Sequence, residues 1–142
     1  MSVLKVNSIS NTTNAFDVDT SDFAKGYAKA WVNFNGQNTI SIRDQFNVSS
    51  ITDGGVGDYT VNFTVPLENN RYVTNVDIAR GVGAASNSNI IISEIDQSST
   101  GYRTTSVRFL ALYLGLGGST TLSTVWDPGA CFVSCHASPI VP

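Results

Sequence analysis

The 142 residues and 15.1 kDa make one ordinary domain, since two halves would each be too small to bury a good core. Charged residues are only 13% of the chain, and Ser, Thr and Asn fill 44 positions, so the strong surface helix formers needed for a coiled coil or charged bundle are nearly absent. A net charge of -3, with the eight Lys and Arg scattered from Lys5 to Arg108, excludes a nucleic-acid binder, which needs a basic stripe to replace phosphate counterions.

The amino end, Met1-Ser-Val-Leu-Lys-Val-Asn7, alternates and carries Lys5, so it lacks the apolar core of a signal peptide. The expectation is synthesis in the cytoplasm without secretion through a leader. Val3–Ile9 reads as a strand, and Val3, Leu4 and Val6 are candidates for pairing with another subunit's sheet edge. Residues 11–22 are polar. The expected organisation is therefore a strand, arm and linker over 1–22 and a β-sandwich over 23–142. Asp17-Val-Asp19-Thr-Ser-Asp22 imitates the start of a calcium loop. It has Asp22 where Gly is required and Ala28 where Glu is required, which discards an EF-hand. Thr20 or Ser21 can cap a short helix through Phe23 and Ala24 that stops at Gly26.

From there the period is two. Ala28, Ala30, Val32 and Phe34 share one face. Trp31 lies on the other, beside Asn33 and Asn35; core or interface is the preferred reading, and a stacking surface for sugar is the alternative. Asn35-Gly-Gln-Asn38 turns the chain into a strand at Thr39–Arg43, and another follows at Phe46–Ile51. Thr52-Asp-Gly-Gly-Val-Gly57 is a Gly-rich hairpin loop. Tyr59, Val61, Phe63 and Val65 then point inward, ahead of Pro66 and the turn Glu68-Asn-Asn70. Tyr72, Val76 and Ile78 alternate, interrupted by Thr74.

Asn89–Ile95 is a further strand, followed by the turn Ser98–Gly101. In Tyr102–Leu114, Val107, Phe109, Ala111 and Tyr113 share a face. Arg108, Leu110, Leu112 and Leu114 share the other, so that second face is expected to be buried too or to meet another subunit. The most apolar run, Phe109 to Leu116, is far short of the roughly 18 residues of a membrane span, so no membrane insertion is expected. Thr120–Trp126, the turn Asp127-Pro-Gly129 and Ala130–His136 complete the set. Nine or ten short strands with such punctuation predict an all-β, antiparallel, jelly-roll-like sandwich. Its exposed tips are expected at Asp53, Gly54 and Gly55, at Asn87, at Ser99 and at Gly117.

No catalytic constellation is expected, and no cofactor. His136 is the only histidine, and no Gly-x-Ser-x-Gly elbow exists. Asp53, Asp58, Asp96 and Asp127 sit in turns, where carboxylates satisfy local backbone. The lone Gly81-Val-Gly83 leads to a strand rather than a helix and reads as a loop. Cys131 and Cys135 in one strand lie about 13 Å apart at ~3.3 Å per residue, beyond the reach of a disulfide. They read as small half-buried strand residues, with a metal held by Cys131, Cys135 or His136 at an oligomer axis as the alternative. The sequons at Asn11, Asn47 and Asn62 follow from an Asn- and Thr-rich composition.

One set of segments is more specific: Lys29-Ala-Trp-Val-Asn-Phe-Asn-Gly36, Thr39-Ile-Ser-Ile-Arg-Asp44, Phe46-Asn-Val-Ser-Ser-Ile-Thr-Asp53 and Gly57-Asp-Tyr-Thr-Val-Asn-Phe-Thr64. With the amino end, they resemble a segment found repeatedly in tail fibre and related structural proteins of tailed bacteriophages, many from marine phages or cyanophages. The resemblance covers about residues 1–76. It implies a homotrimeric, non-enzymatic virion protein at the tail, a fibre or fibre tip that attaches to the host surface. The implied partners are itself, other tail or capsid proteins, and a host receptor, expected to be a carbohydrate. The rivals are a capsid decoration or head-fibre protein that stabilises the shell, a polysaccharide-degrading tailspike, and a free-standing lectin. The short chain, the lack of β-helix repeats and the absence of an evident acid pair weigh against the tailspike.

Overall fold

The computed structural model describes residues 6–10, 13, 17–20, 26–79, 90–95, 101–114 and 124–137. Alternation decides what they build. In β3 (Ala30–Asn35) Ala30, Val32 and Phe34 are buried while Trp31, Asn33 and Asn35 are half-buried on the other face. β6 (Asp58–Phe63) buries Tyr59, Val61 and Phe63, and β11 (Ala130–His136) buries Cys131, Val133 and Cys135. A sheet with one apolar face must bury it against another layer. Here two antiparallel sheets do this for each other, and the described chain is all-β in its sheets.

One sheet runs β4 (Ser41–Phe46), β3, β11, β7 (Val73–Ala79). The other contains β5 (Val48–Gly55), β6, β9 (Ser106–Leu114), β8 (Ile90–Ile95) and β10 (Thr124–Val125). Phe109 and Leu110 pair with both β6 and β8, so those strands take opposite edges of β9. Leu112 and Tyr113 pair with both β8 and β10. β10 therefore follows β6 along the same edge. The hand-over is at Ala111, whose N–H goes to Gly57 O at 2.7 Å and whose carbonyl accepts from Trp126 N at 3.1 Å.

Between the sheets, the Phe34 ring meets Tyr59 edge-on at 5.3 Å and Phe109 at 6.3 Å. A second aromatic group joins Phe63, Tyr72 and Tyr102, at 5.9 and 5.1 Å. The Tyr72 hydroxyl lies 2.9 Å from the carbonyls of both Arg103 and Ser106, so its polar end is satisfied inside the core.

The chain changes sheets between β4 and β5 at Asn47, whose φ of 54 lies in the left-handed region that Asn tolerates. Its side chain donates to Lys29 O and Val65 O and accepts from Val65 N at 2.8 Å. That grip draws the chain out of the sheet after Phe63. Val65, expected inward, is 62% exposed for this reason.

Other boundaries also move. The strands expected at Thr39–Arg43 and Phe46–Ile51 are shifted to Ser41–Phe46 and Val48–Gly55. The Gly-rich loop shrinks to Val56-Gly57, because Asp53 Oδ1 accepts from Gly55 N at 2.9 Å and a register shift extends the strand. In the arm, β1 (Ser8–Ser10) pairs with β2 (Asp17–Asp19), so part of the expected linker is itself a strand. The expected short helix falls mostly on 21–25, outside the described residues.

Candidate functional site

The outer face of the β4-β3-β11-β7 sheet gathers the side chains most suited to binding. Register places them in rows. Phe46, Trp31, Ser134 and Asn75 cross the sheet in one row, and Asp44, Asn33, Phe132 and Asp77 in the next. Trp31 and Phe132 are thus diagonal neighbours on adjacent strands, within reach of one ligand. Phe132, on the inner strand β11, is 43% exposed, which is unusual for an aromatic ring in the middle of a sheet, and Phe46, at the end of the edge strand β4, is 50% exposed. Trp31 and Phe132 line a shallow open depression of about 340 Å³, with Asn75 and Asp77 on one side and Asn33 and Asp44 on the other.

Its electrostatics are one-sided. Asp44 and Asp77 stand at the two ends of a row, and among the described residues no Lys, Arg or His lines the depression. Arg43, next to Asp44 in β4, donates from its guanidinium to Gly129 O at 2.7 Å, Asn33 Oδ1 at 3.2 Å and Phe34 O at 3.4 Å. The bond to Asn33 fixes which end of that amide faces the ligand. Such a surface offers aromatic faces for sugar C–H groups and flanking acceptors and amides for hydroxyls.

The cysteines lie on the inner face of β11 and are fully buried, more than the half-burial expected. Burial pushes the Cys131 thiol up to about 12 and the Cys135 thiol up to about 11. His136 alternates to the outer face, beside Val73, so the three do not converge. Among the described residues no group of three or more His, Cys, Asp and Glu is placed to hold a metal ion.

Two turn aspartates do long-range work instead of capping their own turns. Asp127 Oδ1 accepts from Gly57 N and from the Tyr59 hydroxyl, each at 2.8 Å, with Gly36 O 3.1 Å from the same hydroxyl. Burial, and then the Asp127 carboxylate, push the Tyr59 phenol far above its ordinary range. Asp58 holds Arg108 through two bonds of 2.7 and 2.8 Å. Both arrangements are structural.

Of the expected tip residues, Asp53, Gly54 and Gly55 are exposed at the end of β5; Asn87, Ser99 and Gly117 lie outside the described residues. Of the expected interface residues, Val6 is 46% exposed, and Leu110 and Leu112 are half-buried on the outer face of β9. Val3, Leu4 and the Leu114 side chain lie outside the described set. Among the described residues, no helix is long and apolar enough to cross a membrane. Asp44, Asn75, Asp77 and Phe132 were not singled out as site residues from the sequence, because only strand register, with β7 and β11 far from β3 in sequence, brings them beside Trp31. No protein-family description, curated protein sequence or solved structure matches this chain.

Proposed function

We propose that this chain is a non-enzymatic attachment module of a phage virion, a tail fibre or fibre tip, that holds host-surface carbohydrate on the outer face of the β4-β3-β11-β7 sheet. The observation that carries it is the diagonal of half-buried Trp31 and exposed Phe132 in an open depression flanked by amides and carboxylates. The resemblance of residues 1–76 to phage fibre proteins supports the virion assignment and the homotrimer that goes with it. The flat, open site suits an extended polymer more than an enclosed small molecule.

The test is retention of the purified chain on immobilised bacterial surface polysaccharides. Trp31→Ala with Phe132→Ala is expected to weaken retention by about tenfold or more, near 1.4 kcal/mol, with an unchanged circular dichroism spectrum. The polysaccharide should keep its length after incubation. Retention that survives both substitutions, or shortening of the polymer, overturns the proposal.

A second reading, a shell-stabilising decoration protein, is favoured by the outward apolar side chains Leu110, Leu112 and Val125 on the other sheet. It predicts binding to purified capsids and a change in their heat resistance.

A further inference from the structure

We infer that the outer-face site selects uncharged glycans and rejects acidic ones such as uronate- or phosphate-bearing polymers. This rests on the carbohydrate-binding reading above and names the ligand class of that same site. The row Asp44, Asn33, Phe132, Asp77 crosses four strands. At about 4.8 Å between strands, the two aspartates stand roughly 14 Å apart along the row. That separation is too long for one cation to bridge them, which sets aside a shared metal ion. It matches two or three sugar units laid across the strands over Phe132, with Trp31 in the adjacent row.

Each end of such a chain then meets a carboxylate, an acceptor only, which takes a pair of sugar hydroxyl protons well and repels an anion. Among the described residues, no cationic side chain lines the depression itself. Its other polar side chains are the uncharged Asn33, Asn75 and Ser134. Arg43, beside Asp44, donates to Asn33 Oδ1 and two backbone carbonyls, so its single positive charge stays at the rim and offsets only part of the charge of the two carboxylates. The chain's net charge of -3 adds to the same sign at longer range.

The experiment is affinity electrophoresis of the full chain in gels carrying soluble amylose, β-1,4-mannan or β-1,4-galactan, whose C6 hydroxyls are free, each run beside its C6-oxidised uronate form. At low salt at least one neutral polymer is expected to retard the protein, and its oxidised form to bind about tenfold more weakly. The difference should shrink as salt rises, because exposed charges are screened. Asp44→Asn with Asp77→Asn should bring the oxidised polymer to within about threefold of the neutral one. Both side chains are exposed, so the fold is retained. Preference for an oxidised polymer, lost on Trp31→Ala, overturns this inference and leaves the binding site standing. If no polymer retards the wild-type chain, or retardation persists in Trp31→Ala with Phe132→Ala, the inference and the reading beneath it both fall.

Discussion

Gly57 does its work by having no side chain. Its φ is +69, and a Cβ there would lie 2.6 Å from Trp126 N and 2.8 Å from Ala111 O. Those atoms belong to the hand-over at which β9 changes partner from β6 to β10, so they cannot give way as a flexible side chain would. Gly55 also has positive φ, at +123, but a Cβ there meets nothing within 4 Å. The pair separates two costs that are usually confounded. Gly55→Ala carries backbone strain alone, about 1–2 kcal/mol. Gly57→Ala adds displacement of two backbone segments and is expected to cost about 3 kcal/mol or more, lowering the melting temperature by on the order of 10 °C. Equal melting temperatures for the two variants would show that the seam adapts and that the close approach is not a constraint.

At the scale of the element, β11 shows how alternation sorts chemistry. Cys131 and Cys135 go to the core, while Phe132, Ser134 and His136 go to the outer face. The buried thiols titrate above their ordinary value of 9.0, at about 12 and about 11, chiefly through burial. A raised folded-state value means that the unfolded chain gives up its proton first. Stability is therefore whole below about pH 9 and declines as pH climbs from there toward the folded values. Tyr59 and Tyr72, also raised mainly by burial, join the decline only above about pH 10. The urea midpoint should thus be flat up to about pH 8.5 and fall beyond about pH 9. In Cys131→Ala with Cys135→Ala the protein is weaker at neutral pH, through lost packing, but its flat region should extend to about pH 10. An unchanged onset of the fall would assign the alkaline loss to other groups.

The same strand marks what could be read from sequence. Inward positions of β3, β6 and β11 follow from local alternation, which needs no knowledge of partners. Val65 defied it because Asn47, eighteen residues away, takes both its N–H and its carbonyl. Asp127 and Asp58 look like turn residues, yet they bind Tyr59 and Arg108 across the fold. The opposite face of Trp31 was legible. Its neighbours Phe132 and Asp77 were not, since a face is written in register and register is a tertiary property.

For the whole molecule, the two sheets present different outer surfaces. The face proposed for glycan belongs to the β4-β3-β11-β7 sheet. On the other sheet, Ser50 and Thr52 accept from Asn62 in a polar ladder, and Arg108 pairs with Asp58. Beyond these the face turns apolar at Leu110, at Leu112 and at Val125, which is 40% exposed. The β1–β2 hairpin adds exposed Val6 and Ile9, and a two-stranded hairpin is marginal in water unless something packs on it. Association through these surfaces would cover apolar area without using the face proposed for glycan. On the proposed carbohydrate reading, a shallow site with few contacts would bind one sugar segment weakly, and three copies on one polymer would raise avidity by about 10²-fold or more. Light scattering of the purified chain at neutral pH is therefore expected to give three times 15.1 kDa, before and after mild heating. Leu110→Glu with Leu112→Glu should release monomers that hold a short oligosaccharide as well as the parent does, yet bind the polymer on the order of a hundredfold more weakly. A parent chain that runs as a 15.1 kDa monomer removes the trimer, and the apolar patch must then meet a different protein.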